Sequence, residues 1–542
     1  TKYGSSDNPF TRGSLSVSST NNFNWNLNAF LAYNNSIGKN YLNLSFGINA
    51  QESQTSNSSA QYKGFPSAAL HTVGHAKEIV SKPSGADNKT RLMGIFLSGN
   101  YSWDNIFLGD VSIRFDGSSE FGSESRWGSF WSLGAGVNVH NFEFMQSLPW
   151  INQFKIRGTY GATGKVNYPP YAARDMYNIL FDDWYSTGIG ATLQGVGNEN
   201  LVWEKTNTTN LGFDLSFFKS KYNLTFSWYN RQTVDMITDV TIPTHTGFTS
   251  YKDNMGEVEN KGFELDVRFN ILQNKDWMVA VFGNLAHNRN KILKISESLK
   301  AYNERVNEKF DEYFDNVFSK QDLKYSKPLL KYEEGGSLTA IYGMRSLGIN
   351  PSNGSELFLD RSGQVIQEWT SSQQSILGDT EPDATGSFGV NLQWKRFTLF
   401  ATFMYEFGGQ VYNQTLVDKV ENANIYLNNV DKRILTDRWQ KPGDIKKYQK
   451  LAIKERAGSV TVPITRPTER FVQKNNNLSL NSITLGYSLQ AESYRWLKTT
   501  GISMLRFEIG ANELFYWSSI KAERGLSYPF ARTMNFSLNL TF

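Results

Sequence analysis

The sequence predicts an all-β protein, and specifically a transmembrane antiparallel β-barrel of about 16 strands. Three observations support this prediction. Apolar and polar residues alternate with a period of two along most of the 542 residues, which places them on opposite faces of extended strands. The connections between these strands alternate between long and short. Aromatic residues make up 14% of the chain, and membrane barrels carry aromatic girdles at both interfaces.

The last strand shows the pattern most clearly. Even positions are apolar and odd positions polar from Met534 to Phe542, the final residue of the chain. Such a strand has the length needed to cross a bilayer at a tilt, about 9–11 residues. Its terminal Phe542 resembles the C-terminal signal of bacterial outer-membrane barrels. An edge strand of a β-sandwich is the alternative explanation for this segment alone.

Earlier segments repeat the alternation. Apolar residues at 23, 25, 27, 29, 31 and 33 lie opposite the asparagines at 22, 24, 26 and 28. In the segment from Phe263 to Ile271, the charged residues are confined to one face. A water-filled interior would allow this arrangement, whereas each Lys or Arg facing lipid would cost about 2–4 kcal/mol at mid-bilayer.

The connections support the same architecture. We count about 15 strands, or 16 if Thr11–Ser19 is a separate strand. Short turns lie at 34–40, Asp104-Asn105, Lys219-Ser220 and Lys395-Arg396, among others. The long loops are predicted at about 52–90, 163–202, 233–256, 289–384, 409–475 and 513–530. Outer-membrane barrels have short periplasmic turns and longer extracellular loops, so the C-terminus is predicted to be periplasmic.

The composition excludes several classes of protein. No run of about 18 apolar residues exists, which excludes transmembrane helices. The absence of cysteine excludes disulfides, thiolate metal sites and cysteine nucleophiles. The net charge of +4 is too small to indicate a nucleic-acid partner. His71 and His75 have a helical spacing but lack further ligand motifs, so we expect no metal site, no cofactor and no enzymatic activity.

Seven blocks of sequence carry more specific information. They are Arg114–Gly122 with Arg126–Phe130, Ile156–Gly164, Asn198–Thr206, Asn254–Glu264, Gly378–Pro382 with Gly386–Phe388, Arg438–Asp444, and Leu478–Tyr487. In this order they resemble blocks of the SusC/RagA family of TonB-dependent outer-membrane transporters. The resemblance spans about residues 100 to 542. Seven blocks in the same order are far more specific than any one of them.

The resemblance implies a nutrient importer of the bacterial outer membrane with a 22-strand barrel, a plug and a TonB box. Its implied partners are outer-membrane lipid, the TonB-ExbB-ExbD system and a SusD-like lipoprotein lid, and its implied substrates are oligosaccharides or peptides. Residues of the blocks are expected to shape the barrel and its loop bases: Arg114, Asp116, Arg126, Trp127, Trp203, Glu204, Asn260, Gly262, Glu264 and Trp439. An ion pair between Arg114 and Asp116 is expected to anchor a loop, and Trp127 to join an interface girdle.

The sequence departs from the family pattern in two respects. Residues 1–542 provide a partial, C-terminal barrel domain, without the plug, the TonB box or the first several strands. We therefore expect a longer parent protein, interrupted in an extracellular loop. The region from Leu359 to Gln364 lacks an acidic loop found in relatives, so no calcium site is proposed. A passive porin-like channel and a scaffold barrel of a surface or secretion complex remain alternatives.

The long loops are the expected place for ligand binding. Loop 163–202 combines aromatic rings with carboxylates, which could stack on sugar rings or bind peptide side chains. The candidate ligand-binding residues are Tyr177, Phe181, Asp182, Asp183, Trp184 and Tyr185. The alternative is that these residues pack the loops against each other or against a lid protein.

Overall fold

The computed structural model confirms the all-β prediction. It describes residues 13–542 except 68, 123, 166–169, 172, 242–249, 255, 316–325, 423–429, 452–453, 457–458, 462–464 and 521–531. Its main feature is one sixteen-stranded sheet in which every pair of neighbours is antiparallel. No helix within the described ranges is long and apolar enough to cross a membrane.

Fifteen of the strands follow one another in chain order across the sheet. They are β1 Ser14–Ile37, β2 Asn40–Lys63, β3 Ser84–Trp103, β4 Phe107–Ser118, β5 Trp127–Asn138, β6 Ile151–Lys165, β7 Glu204–Phe217, β8 Tyr222–Val234, β9 Glu257–Gln273, β10 Trp277–Lys294, β11 Ala384–Trp394, β12 Phe397–Phe407, β13 Asn477–Gln490, β14 Met504–Ser518 and β15 Thr533–Thr541. The sixteenth, Glu78–Ile79, pairs with the end of β2. β1 and β15 are the two ends of this path, and the described sheet is not closed between them.

Of the two strand counts left open, the one that makes Thr11–Ser19 a separate strand is wrong. Described residues of that segment from Ser14 onward belong to β1, a single strand of 24 residues that pairs with β2 along its whole length. The error arises because residues 18–22 of β1 are polar on both faces. They interrupt the apolar alternation between Val17 and Phe23, so one strand reads as two segments. The expected total of about 16 strands is met by Glu78–Ile79 instead.

The two faces of the sheet differ in polarity, as the alternation predicts. The apolar face of β15 carries Phe536 and Leu538, which are 66% and 48% exposed. Similar residues are exposed along β1, where Leu31 is 76% exposed. A soluble protein rarely leaves so wide an apolar surface uncovered, whereas lipid covers it in a membrane barrel. We call this the apolar face and the opposite one, which would line a closed barrel, the polar face.

Because neighbouring strands are antiparallel, the connections fall on two rims. One rim, the short-link rim, has the links 38–39, 104–106, 139–150, 218–221, 274–276, 395–396 and 491–503. The other, the long-link rim, has the links 64–83, 119–126, 166–203, 235–256, 295–383, 408–476 and 519–532. The predicted alternation of lengths fails at one of them, because link 119–126 is shorter than links 139–150 and 491–503 of the other rim. The predicted loops 52–90 and 513–530 are too long, because β2, β3 and β14 continue into them. The ends of β2 and β3 are polar on both faces, whereas the end of β14 from Leu514 to Trp517 is apolar or aromatic on both faces. In neither case do apolar and polar residues alternate.

The long links contain secondary structure of their own. They include the hairpins Met176–Tyr185 with Gly188–Gly195 and Ile237–Thr241 with Ser250–Asn254, helix α1 Glu297–Asp315, and the small sheets Ala340–Gly343 with Ser375–Asp379, Arg345–Ile349 with Glu356–Leu359 and Val365–Ile366, Gln410–Tyr412 with Val472–Lys474, and Lys454–Arg456 with Ser459–Thr461. Short helical turns are Val73–His75, Val139–Asn141, Glu143–Ser147, Ser371–Gln373, Gln414–Leu416, Val417–Glu421, Arg433–Thr436, Glu469–Phe471 and Arg495–Thr499.

Candidate functional site

The polar face of the sheet carries charges of both signs in contact with one another. Arg114 Nε lies 2.6 Å from Asp116 Oδ1, and its Nη2 donates to Asn49 Oδ1 at 2.7 Å. These side chains meet above Gly94, where a Cβ would lie 2.2 Å from the Asp116 carboxylate. The expected ion pair therefore forms, but Arg114 also bonds to Asn49 of β2 rather than to a loop residue.

Two further ionic groups lie on the same face. Arg157 contacts Asp214 at 3.6 Å and donates to Ser227 Oγ at 2.7 Å. Near the C-terminus, Arg506 donates to Glu508 at 2.8 Å, and Glu508 accepts from Ser537 and Asn539 of β15. A wall with paired charges and amides is suited to contact with water, polar solutes or a polar protein segment rather than lipid.

A compact aromatic cluster supports the base of the long links at β5 and β7. The Trp203 ring is 5% exposed and stacks on Phe121 with ring centroids 4.5 Å apart. Its Nε1 donates to the main-chain oxygen of Arg126 at 3.1 Å. Glu204, also buried, accepts from the N–H of Ile237 at 3.4 Å. Trp203 and Glu204 therefore join the links 119–126, 166–203 and 235–256 to the sheet. The side chain of Arg126 itself is exposed.

Trp127 lies on the opposite, apolar face. It is 58% exposed, and its ring covers Gly117 so closely that a Cβ there would lie 2.9 Å from the indole. An exposed indole on the apolar face, next to the long-link rim, is the arrangement found in the aromatic girdle of membrane proteins.

The block around Gly262 places a polar network near the long-link rim. Tyr229 lies over Gly262, where a Cβ would be 2.2 Å from the main-chain oxygen of His287 and 2.6 Å from the phenol oxygen. The Tyr229 hydroxyl donates to Asn288 Oδ1 at 3.0 Å, and Asn288 Nδ2 donates to Glu381. Two residues complete this region: Asn260 accepts from Asn290 Nδ2 at 2.9 Å, and Glu264 is exposed on the polar face.

Two long links, 295–383 and 408–476, pack into one body at the long-link rim. At its centre, Arg470 Nη2 lies 2.7 Å from Glu356 Oε2 and 2.7 Å from Glu421 Oε1. All three side chains are at most 10% exposed. Burial works against the charge of Arg470, but the carboxylates of Glu421 and Glu356 prevail and raise the pKa of Arg470 overall. An apolar cluster that includes Tyr412, Val417 and Phe471 surrounds this group.

Trp439 also belongs to this two-link body. Its Nε1 donates to the main-chain oxygen of Pro351 at 2.9 Å, and its ring lies against Gly354, where φ is +72°. Asp444 Oδ2 accepts from the N–H groups of Gln440 and Lys441, and these bonds lower the pKa of that carboxyl. The Arg438–Asp444 block thus forms a closed turn that attaches one long link to the other.

The candidate ligand-binding residues lie on the hairpin of link 166–203. Tyr177 and Tyr185 are 59% and 68% exposed. The backbone of residues 181–184 belongs to strand Met176–Tyr185, with a register irregularity between Leu180 and Trp184. The side chains of Phe181, Asp182, Asp183 and Trp184 lie outside the described part of the structure. Of the six candidates, the described part of the structure therefore places the side chains of two, Tyr177 and Tyr185, both on one exposed strand.

Two features of the site were absent from the sequence predictions. The Arg470 group joins residues more than 100 positions apart, and no local pattern reveals such a pairing. The aromatic side chains of the apolar face at the short-link rim align in one row across several strands. That row could have been found by aligning the residues next to each short turn. Within the described residues, no group of three His, Asp or Glu side chains could hold a metal ion.

An antiparallel sheet with an exposed apolar face, a charged polar face and two unequal rims defines a transmembrane β-barrel protein. The comparisons with known proteins agree. The family described as "TonB dependent receptor-like, beta-barrel" matches residues 1–413. The chain belongs to this family. Its members are outer-membrane transporters rather than enzymes, which confirms the prediction that the chain is not an enzyme.

Among curated relatives, TonB-dependent receptor P3 of Formosa agariphila is 25% identical over 95% of this chain and 52% of its own length. TonB-dependent receptor SusC of Bacteroides thetaiotaomicron is 24% identical over 86% of this chain and 44% of its own length. A solved structure of the RagAB peptide transporter matches with a TM-score of 0.80 and 23% identity, over 98% of this chain and 56% of that chain. The chain thus spans about half the length of these relatives. The predicted resemblance to SusC/RagA transporters is confirmed.

Proposed function

We propose that the chain is the C-terminal barrel portion of a SusC-type importer, which takes up oligosaccharides or peptides together with a SusD-like surface lipoprotein. The family match over residues 1–413 carries this proposal. In it, the N-terminal portion supplies the plug and the contact with the TonB-ExbB-ExbD system. The short-link rim and the C-terminus face the periplasm, and the long-link rim faces the outside of the cell.

The geometry supports a path for a polar solute. The polar face carries the Arg114–Asp116 and Arg157–Asp214 pairs, which neutralise each other's charge while leaving hydrogen-bonding groups on the wall. The two-link body and the hairpin with Tyr177 and Tyr185 lie where a solute would first arrive. In this proposal the rings of the hairpin contact the solute, and the long links meet the lipoprotein lid.

Two of the similar proteins support the choice of substrate classes in this proposal. One similar structure is that of a peptide transporter, the RagAB complex, and another relative is SusC. Exposed tyrosine rings serve both classes, because they stack on sugar rings and bind peptide side chains. We propose peptides and oligosaccharides as the two candidates to compare directly.

The test is uptake by cells that express the full-length protein with its lipoprotein partner. Fluorescent oligopeptides and oligosaccharides are supplied in parallel, with and without an intact tonB gene. The proposal predicts accumulation of one class, lost when TonB is absent. The double variant Tyr177→Ala/Tyr185→Ala should lower accumulation several-fold, whereas Trp496→Ala, an exposed aromatic of the short-link rim, should not.

The alternatives give different results in the same assay. Accumulation that persists without TonB identifies a passive porin-like channel. No accumulation of either class, together with a stable complex that lacks a SusD-like lipoprotein, identifies a scaffold barrel. Either result would overturn the proposed importer.

A further inference from the structure

A groove crosses the apolar face close to the short-link rim. It has a volume of about 550 Å³ and lies over β10 to β15. Leu392, Leu399 and Leu485 form its floor, and Trp394, Phe397 and Tyr487 stand along its edge nearest the rim. The groove is therefore apolar along its length and ends among aromatic side chains.

The strand register explains this shape. Trp277, Trp394, Phe397 and Tyr487 occupy one level of four consecutive strands. Their rings are in contact, with centroids 5.6 Å, 5.8 Å and 4.5 Å apart in that order. At the next position on the same face, further from the rim, β11, β12 and β13 carry leucines instead of aromatic residues. Large rings at one level and smaller side chains at the next leave a depression between them.

A cationic turn lies at the rim end of the groove. Lys395 and Arg396 form the whole link between β11 and β12, and Lys395 Nζ lies 6.0 Å from the centre of the Trp394 ring. The Arg396 guanidinium lies 4.6 Å from the centre of the Tyr494 ring and donates to its hydroxyl at 2.5 Å. That hydroxyl is 3.5 Å from the hydroxyl of Tyr487, which borders the groove.

The neighbouring link adds a third cation. Lys395 N–H donates to the main-chain oxygen of Asp276, which brings the link 274–276 against the turn. Lys275 and Asp276 of that link are exposed. The two adjacent links thus present three cationic side chains and one carboxylate at the end of an apolar groove. This combination is complementary to a molecule with an anionic head and a hydrocarbon chain.

We propose that this groove is a binding site for an anionic glycerophospholipid of the inner leaflet. One acyl chain lies along the leucine floor, and the phosphate contacts Lys395 and Arg396 next to Tyr494. The choice of leaflet rests on the periplasmic placement of the short-link rim under Proposed function. A bound lipid would fix the position of β11 to β13 in the membrane. This lipid site is separate from the solute path and the lipoprotein contact under Proposed function.

The experiment is native mass spectrometry of the full-length protein in detergent, titrated with mixtures of dioleoyl phosphatidylglycerol and dioleoyl phosphatidylcholine. The wild type should prefer phosphatidylglycerol. In the variant Lys395→Gln/Arg396→Gln, the ratio of phosphatidylglycerol to phosphatidylcholine binding should be at least five-fold lower than in the wild type. The matched control is Lys219→Gln/Lys221→Gln, which removes two cations from another link of the same rim, 218–221, and should keep the preference.

A second variant tests the groove itself. Leu485→Trp fills the floor with a larger apolar side chain, so adducts of both lipids should decrease together, while heat-dependent gel mobility confirms that the barrel is folded. An unchanged phosphatidylglycerol preference in Lys395→Gln/Arg396→Gln would overturn the proposal. An equal loss in the control would also overturn it, because the effect would then come from general rim charge. Co-purification of lipid A at this site, in place of phospholipid, would contradict the inner-leaflet assignment without affecting the transport assay.

Discussion

Arg470 and Glu356 form an ion pair between two different long links, with Nη2 and Oε2 2.7 Å apart and both side chains at most 10% exposed. A second buried carboxylate, Glu421, completes the group. Links that would otherwise be independent loops are thereby joined into one body at the long-link rim. The group explains how long connections can present a defined surface.

We expect Arg470→Leu to separate the two links. The substitution leaves two buried carboxylates without their cation, and breaking a buried ion pair in this way costs about 3–5 kcal/mol. Hydrogen exchange should show lost protection at Met344 and Asn413, whose N–H groups donate to main-chain oxygens of Pro467 and Phe471. Protection in the barrel strands should not change.

The control for this prediction is Lys441→Leu. Lys441 belongs to the same two-link body, and its side chain is exposed. A substitution at such a surface position usually changes stability by less than about 0.5 kcal/mol, so protection should change little. Equal effects of the two substitutions would contradict the role assigned to the buried group.

Gly262 is expected to tolerate no side chain. A Cβ there would lie 2.2 Å from the main-chain oxygen of His287, and backbone atoms of a paired strand move only at a cost. We expect Gly262→Ala to destabilise the barrel by about 1–3 kcal/mol, the usual cost of overpacking. The measurement is the urea concentration at which heat-dependent gel mobility is lost.

The matched control is Gly109→Ala in β4, where a Cβ would meet nothing within 4 Å. The smaller conformational freedom of alanine in the unfolded chain should make this change neutral or stabilising by up to about 1 kcal/mol. If both variants unfold at the same urea concentration, the close approach at Gly262 has no energetic consequence.

Lys331 should make the contact between α1 and the later part of link 295–383 depend on pH. Its side chain is buried and its Nζ donates to Asn307 of α1 at 3.0 Å. Burial lowers the pKa of Lys331 from its ordinary value of 10.5, although Glu333 acts in the opposite direction. At Lys331 the folded link therefore binds fewer protons than the unfolded link, so the contribution of this group to stability rises with pH. Burial raises the pKa of the neighbouring Tyr332 above its ordinary value of 10.0, and that group acts in the opposite direction from about pH 10.

The measurement is hydrogen exchange at the N–H of Tyr332, which donates to Asn303 of α1 at 2.9 Å. After correction for intrinsic rates, its protection should increase from pH 8 to pH 9, below the range in which tyrosine titrates. Lys331→Met should remove the increase, and Lys309→Met, on the exposed face of α1, should retain it. Protection that falls with pH in the wild type would contradict the prediction.

The sequence was sufficient to predict the barrel strands but not what lies between them. Alternation identifies a strand where one face meets lipid, as at Met534 to Phe542 and Phe263 to Ile271. It does not identify residues 18–22 as part of β1, because this stretch is polar on both faces although it pairs with β2 in register. The tight turn at Lys395-Arg396 was predictable from its position between two alternating segments.

The candidate site was predictable only in part. Arg114 and Asp116 are two positions apart on one strand, so their pairing follows from local geometry. Arg470 and Glu356 are 114 positions apart, and their pairing depends on how two links fold against each other. The contact of Trp203 with Phe121 likewise requires the sheet to bring distant segments together.

The most direct test of this account is cysteine accessibility along β15, because the sequence contains no native cysteine. Single cysteines replace Asn535, Phe536, Ser537, Leu538, Asn539 and Leu540 in turn, and a water-soluble maleimide is added to outer-membrane vesicles. The account predicts labelling with a period of two, high at 535, 537 and 539 and low at 536, 538 and 540. Equal labelling on both faces would contradict a lipid-facing apolar surface and, with it, the membrane barrel.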